Sequence, residues 1–245
     1  MGELIAVLSG KGGTGKTSLC AGIATALAAA GESVLCIDCD VGLRNLDIAL
    51  GLSDVCAPSF LEVCRGEYAL SDAVRHPIYK NLSFLTAPVN MRGEKVDRAE
   101  FSAMLRQARS TYRYIFLDAP AGVDAGFRLC AFYADRVLLV TNADASAVRD
   151  AAHAGKILQQ MGKTDVRLIV NRIHEKMFKL MNVTVDDVMD DACLPVIGVV
   201  PEDPDVTLAA AFDQPLLKYT DKGAAKACAR IAKRIQGMPV PLSIR

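Results

Sequence analysis

The chain has 245 residues, 51% of them apolar and 23% charged, which excludes a disordered polymer and allows one large core. Its 28 basic and 28 acidic residues cancel, so bulk charge points to no polyanionic partner. No apolar run is long enough to span a bilayer, and the start, Met1-Gly2-Glu3-Leu4-Ile5, reads as a strand rather than a basic and apolar leader.

Residues 4–8 form a short apolar run that predicts a buried strand. It leads into Gly10, Lys11, Gly12, Gly13, Thr14, Gly15, Lys16 and Thr17, which match the phosphate-loop pattern G-x-x-x-x-G-K-[ST] in its required place, after a strand and before a helix. The glycines let successive backbone N–H groups turn inward on phosphate oxygens, and the helix N-terminus adds partial positive charge. Lys16 is placed to reach the β- and γ-phosphates of a nucleotide and the Thr17 hydroxyl to ligate Mg²⁺, with Ser18 following in the first helical turn. A second cation, Lys11, sits where it cannot easily be aimed at the same nucleotide. One solution is that Lys11 reaches the nucleotide of a second subunit, as an arginine finger does in trans.

A helix over 16–30 is stopped by Gly31, and the strand 33–37 ends in Asp38 and Asp40. Alternation puts both carboxylates on one side of the chain, and like charges side by side repel unless a cation or a polarised water relieves them. That suits a place beside Mg²⁺ and an attacking water; ordinary loop carboxylates are the competing reading. Cys36 and Cys39 form C-x-x-C across the strand end, so their side chains diverge into core packing. A helix near 59–65, a strand at 82–85 and a helix near 97–109 follow. The strand 114–117 ends in Asp118, which fits a second magnesium-holding group acting through water, and Ala119-Pro120-Ala121-Gly122 forms a loop that could sense the γ-phosphate.

Beyond a helix at 124–133 and a strand at 136–140, the chain reads Thr141-Asn142-Ala143-Asp144. A guanine site would want a lysine in this run, so adenine is favoured. Helices are predicted near 145–161, 184–191, 204–212 and 221–236, and strands at 166–170 and 196–200. The strand interiors are apolar without alternation, as in sheets covered on both faces. The fold class is therefore α/β, a mostly parallel twisted β-sheet flanked by helices on both faces, a three-layer sandwich with ligands at the carboxyl ends of the strands. A single domain over 1–245 is the simplest organisation.

Residues 222–245 carry Lys222, Lys226, Arg230, Lys233, Arg234 and Arg245 and no acid, a basic helix and short tail that could touch a membrane surface or DNA. Ala224, Cys228, Ile231 and Ile235 give that helix a thin apolar stripe, and Pro239 and Pro241 block its extension. The eight cysteines read as core residues, and His76, His153 and His174 fall in no ligand pattern. Asn81-Leu82-Ser83 and Asn182-Val183-Thr184 match the glycosylation pattern but carry no weight without export.

Lys11-Gly12-Gly13-Thr14-Gly15-Lys16-Thr17 is the deviant Walker A form and resembles the MinD/ParA family of P-loop ATPases. The stretch Asp38-Cys39-Asp40-Val41-Gly42-Leu43-Arg44-Asn45-Leu46-Asp47 resembles its MinD branch. Thr86-Ala87-Pro88, Asp118-Ala119-Pro120-Ala121-Gly122, Ser146-Ala147-Val148-Arg149-Asp150, Val170-Asn171-Arg172-Ile173 and Val200-Pro201-Glu202-Asp203 extend the likeness in unbroken order. The resemblance implies an ATPase that hydrolyses Mg-ATP and forms a homodimer with ATP sandwiched between subunits. It makes Lys11 the trans lysine and Lys16 the P-loop lysine, with Asp40 orienting the attacking water and Asp38 and Asp118 in the magnesium shell. It assigns Asn171 to the adenine edge, and Arg172 with Pro201, Glu202 and Asp203 to the surroundings of the base. Asn45 and Asp150 are implied at the dimer face, where a protein activator or a division inhibitor docks. The implied role is placement of the division site by a cytoplasmic protein working at the inner face of the cell membrane. A ParA-like ATPase that binds DNA for chromosome or plasmid partitioning is the alternative, and an iron–sulfur carrier ATPase of the same fold is a third.

Overall fold

The apolar runs become strands covered on both sides. They are β1 (Glu3–Leu8), β2 (Val34–Asp38), β3 (Val74–Arg75), β4 (Leu82–Leu85), β5 (Tyr114–Asp118), β6 (Arg136–Asn142), β7 (Val166–Ile173) and β8 (Val196–Pro201). The helices are α1 (Lys16–Ala29), α2 (Leu46–Leu50), α3 (Phe60–Cys64), α4 (Arg98–Thr111), α5 (Ala125–Tyr133), α6 (Ala145–Gln160), α7 (Glu175–Met181), α8 (Val185–Ala192), α9 (Asp205–Ala211), α10 (Leu216–Tyr219) and α11 (Gly223–Ile235). The computed structural model describes residues 1–41, 43–89, 96–181 and 184–243. Gly42 of the stretch 38–47, Asn182 and Val183 of the second glycosylation pattern, and Arg245 of the basic tail lie outside the described residues.

The sheet order is β3-β4-β2-β5-β1-β6-β7-β8. All pairings are parallel except β3 with β4, a two-residue antiparallel edge that the sequence does not announce. One core packs beneath α4, α5, α6 and α8, and the other beneath α1, α2 and α11. Cys36 points into the second core and Cys39 into the first, so the C-x-x-C pair does diverge across the sheet.

Helix α1 is buried almost all round because it is sandwiched between the sheet and α11. Its small residues permit that closeness: a Cβ on Gly22 would stand 2.7 Å from Cys228 Sγ. Ala224, Cys228, Ile231 and Ile235 are all buried, so the apolar stripe of the last helix is spent on its own protein. Each isoleucine contributes roughly 1.5–3 kcal/mol by leaving water.

The basic tail is also partly consumed. Arg234 donates to the carbonyls of Ile197, Val240 and Pro241, and Arg230 to that of Ser243. The segment after α11 therefore runs back along it, held by two of the cations expected to face a partner. Lys222, Lys226 and Lys233 remain exposed.

Candidate functional site

Three strand ends and one helix start meet around residues 10–17. Gly13 and Gly15 take left-handed backbone angles (φ 78° and 85°), which only glycine adopts without strain. Gly15 caps α1 with no side-chain bond to the first-turn amides, which leaves those N–H groups for an anion. The loop fits its surroundings closely: a Cβ on Gly10 would stand 2.6 Å from the Asp150 carbonyl oxygen of α6. Asp150 thus lies against the phosphate loop.

The Lys16 ammonium donates to Asp118 Oδ1 at 2.7 Å, and both side chains are buried. Burial works against the charge on Lys16, and the Asp118 carboxylate more than offsets it, so the lysine pKa is raised. The Thr17 hydroxyl lies beside this pair and accepts from the Lys16 ammonium at 3.4 Å. Buried polar atoms around the loop lack partners: Ser9 Oγ, Thr14 Oγ1, Asp118 Oδ2 and Asn142 Oδ1. Orphaned groups of this kind are costly unless a ligand serves them. The residues present therefore fit a magnesium nucleotide. Thr17 Oγ1 and Asp118 would hold the metal, the rest of its oxygen shell coming from phosphate and water. Among the described residues no three His, Cys, Asp or Glu side chains gather as a cage, and none is needed for a metal bound this way.

Asp38 lies beside Asp118 in the β2–β5 register and is equally buried. Burial and the Asp118 charge push its carboxyl up to about 7. Its two oxygens accept the backbone N–H groups of Asp40, at 2.9 Å, and Leu46, at 3.2 Å. Asp40 is half-buried, and burial raises its pKa against the pull of Lys16. Asn45, at the start of α2, is exposed.

Lys11 is exposed, and its side chain reaches across to the start of α6. Its ammonium donates to Ser146 Oγ at 2.9 Å and lies 3.9 Å from Asp144 Oδ1. Asp144 caps α6 through the Ala147 N–H, at 3.0 Å, and accepts the Ser146 hydroxyl at 2.7 Å. In the sequence Asp144 bears only on the choice of base, and nothing local marks it as this resting place.

A cleft opens beside the loop, between the ends of β7 and β8, α1 and α9. It is lined by Gly15, Ser18, Asn171, Arg172, Pro201, Glu202 and Asp203, so the residues assigned to the base converge from three parts of the chain. Leu19, Val200, Val206, Thr207, Leu216 and Ala224 complete it, and of these Val206, Thr207 and Leu216 carry no motif that the sequence could have flagged. A register break between Val170 and Ile173 shapes the wall, with Arg172 left-handed at φ 56°. It leaves Asn171 buried with its amide donating to the Thr14 carbonyl at 2.7 Å, while Arg172 faces out, 3.7 Å from Glu202. Asp203 lines the cleft, and its carboxylate also accepts the N–H groups of Asp205 and Ala224, at the starts of α9 and α11.

Packing accounts for His76 and for the five buried cysteines, whereas Cys56 and Cys193 are exposed and depart from the core reading. His76 is buried, with Nε2 on the Leu50 carbonyl and Nδ1 accepting the Ile78 and Tyr79 amides, which fixes a neutral ring. Of the two late cysteines, Cys228 is packed on Gly22 and Cys193 is exposed at the end of α8, across the sheet.

Residues 5–216 match the model of the CobQ/CobB/MinD/ParA nucleotide binding domain. The septum site-determining protein MinD of Thermotoga maritima is 35% identical over 246 aligned positions, covering 99% of this chain and 91% of that protein. A chain of the MinC:MinD cell division protein complex of Aquifex aeolicus superposes with a TM-score of 0.91 at 34% identity, covering 98% of both chains. MinD of Pyrococcus horikoshii, solved with Mg-ADP, gives 0.83 at 28% identity over 96% of each chain.

Proposed function

The chain belongs to the CobQ/CobB/MinD/ParA nucleotide-binding family, and from that premise we infer that it is a MinD-type ATPase that places the division site, binding and hydrolysing Mg-ATP as an ATP-dependent sandwich dimer. The observation that carries the reading is the phosphate loop itself: α1 amides left uncapped, Lys16 on Asp118, and orphaned Ser9, Thr14 and Asp118 atoms around them.

The work of each group follows from its position. Lys16 exchanges the Asp118 carboxylate for phosphate oxygens when ATP enters, which frees Asp118; with Thr17 it would hold Mg²⁺. Bound Mg²⁺ supplies charge neutralisation on the β- and γ-phosphates. Asp40 orients the attacking water. Lys11 leaves Ser146 and crosses to the nucleotide of the second subunit, where it meets the charge of the transferring phosphoryl group. Asn171 selects the base. Its Nδ2 is committed to the Thr14 carbonyl, so Oδ1 is left as an acceptor, suited to the amino group of adenine and opposed to the carbonyl of guanine. The protein acts as one domain in the cytoplasm, at the inner face of the cell membrane. A MinC-type division inhibitor docks on the dimer near Asn45 and Asp150.

Size-exclusion chromatography of Asp40→Ala protein with ATP, with ADP and without nucleotide tests this. A dimer only with ATP is expected, and Lys11→Ala should bind ATP as a monomer without hydrolysing it. An Asp40→Ala protein that stays monomeric in all three conditions would remove the reading.

A further inference from the structure

The fold spends Asp38 in a way that its proximity to the metal site does not require. Its carboxylate is about 1% exposed, and each oxygen takes a backbone amide. One amide belongs to Asp40 and the other to Leu46, the first residue of α2. The carboxylate therefore grips both sides of the turn that carries Asp40.

The far side of this grip is anchored by burial and by hydrogen bonds. Leu46 and Leu50 are fully buried in the core beneath α1, and Ser53 just past α2 gives both its N–H and its hydroxyl to Asp213 Oδ1, at 3.2 and 2.7 Å. Gly51 meets the Asp213 backbone so closely that a Cβ there would be 2.8 Å from its carbonyl oxygen. A second tie comes from Arg44. It is held left-handed at φ 44°, which costs energy for a residue with a side chain, and its Nε donates to Thr86 Oγ1 at 3.1 Å. Backbone strain kept at one residue and two carboxylate bonds at fixed points are what a segment needs if one of its side chains must stand in a set place.

We propose that Asp38 is a positioning residue: it clamps the amides of Asp40 and Leu46, sets where the Asp40 carboxylate stands over the phosphate loop, and acts on hydrolysis through Asp40 rather than through the metal. The inference deepens the ATPase reading and rests on it for its kinetic part alone, since the clamp itself exists without nucleotide. Each Asp38 oxygen already spends one accepting site on an amide, so the carboxylate is tied to this segment before any metal arrives. Asp118, by contrast, keeps Oδ2 without a partner and is the better-placed group for the metal.

Asp38→Asn is close to isosteric, but its amide nitrogen cannot accept one of the two N–H groups. In nucleotide-free protein, hydrogen exchange at one of the two amides, Asp40 or Leu46, should quicken at least about tenfold, with distant helices unchanged. In hydrolysis, kcat should fall while the magnesium concentration for half-maximal rate and the KM for ATP stay within about twofold. Asp118→Asn should instead raise the magnesium requirement. Arg44→Gly, which relieves the strain and releases the tie to Thr86 without touching a carboxylate, should repeat the Asp38→Asn pattern in kcat. Unchanged exchange at both amides would overturn the clamp even if the protein proved to be no ATPase. Faster exchange with a tenfold rise in the magnesium requirement would overturn the claim that Asp38 works through Asp40. Absence of hydrolysis in the unsubstituted protein, tested with ATP and magnesium, would count against the ATPase reading and leave the exchange result standing.

Discussion

Asn171 donates its side-chain amide to the carbonyl oxygen of Thr14 at 2.7 Å, which joins the end of β7 to the middle of the phosphate loop. One residue thus shapes the phosphate cradle and faces the base cleft. Asn171→Ala should weaken ATP binding about 10- to 100-fold, from the roughly 1–3 kcal/mol cost of leaving a buried carbonyl unpaired. The loss for GTP should be smaller, because only ATP used the freed acceptor. Calorimetry with both nucleotides checks this, and an unchanged ratio of the two affinities would refute the role in base choice. Gly15→Ala should abolish binding altogether, since its Cβ would lie 2.3 Å from Asn171 Nδ2 on a left-handed backbone.

The Lys16–Asp118 pair makes a prediction about the protein without nucleotide. Lys16→Met strands a buried carboxylate and should lower stability by roughly 3 kcal/mol, the low end for a broken buried pair because Asp118 can take up a proton. Adding Asp118→Leu should restore most of that stability and none of the nucleotide binding. Chemical denaturation of the single and double variants checks it. A double variant as weak as the single one would show that the pair is not the source.

The phosphate loop, the two carboxylate-bearing strand ends and the parallel sheet were legible in the sequence because each is written in contiguous residues with a fixed local geometry. Residues 82–85 form a strand with the expected bounds, and β1, β5 and β8 extend theirs by one residue. What escaped was set by distant partners. The helix at Leu46–Leu50 is one and a half turns long, too short for a periodic pattern, and exists because Asp38 holds its first amide and α9 its far end. The edge strand Val74–Arg75 has no pattern of its own and borrows its pairing from β4. Asp203 sits in the base-loop motif, and only the fold reveals that its carboxylate caps α9 and α11. The tail arginines read as free cations because nothing local tells that the chain turns back on α11.

Asp38 should give the nucleotide-free protein a pH-dependent stability of a definite sign. Burial and the Asp118 charge raise its carboxyl to about 7 in the folded chain, against an ordinary value of 3.8. Between those values the folded protein holds a proton that the unfolded chain has lost. Stability from this group is therefore complete below about 4 and is lost as pH rises through about 7, at about 1.4 kcal/mol for each pH step of one between the two. Asp38→Asn has no such proton. Between pH 5 and pH 8 the unsubstituted protein should lose more of its melting temperature than the variant does, and parallel melting curves would contradict the assignment.

The return of the tail over α11 separates two neighbouring cations of equal charge. Arg234 donates to three carbonyls, Ile197 at 2.9 Å, Val240 at 3.0 Å and Pro241 at 2.6 Å, and so fastens the tail to both its helix and β8. Lys233, one residue earlier, is exposed. Arg234→Ala should cost about 2 kcal/mol, from charge-assisted hydrogen bonds worth roughly 1.5–3 kcal/mol each and discounted for partial exposure. It should also speed proteolysis at residues 236–243. Lys233→Ala should stay within about 0.5 kcal/mol of the unsubstituted protein. Both remove one positive charge, so any effect of net charge on an anionic surface is shared. A stability difference between them comes from the strap alone, and equal denaturation midpoints would show that the tail is not held by Arg234.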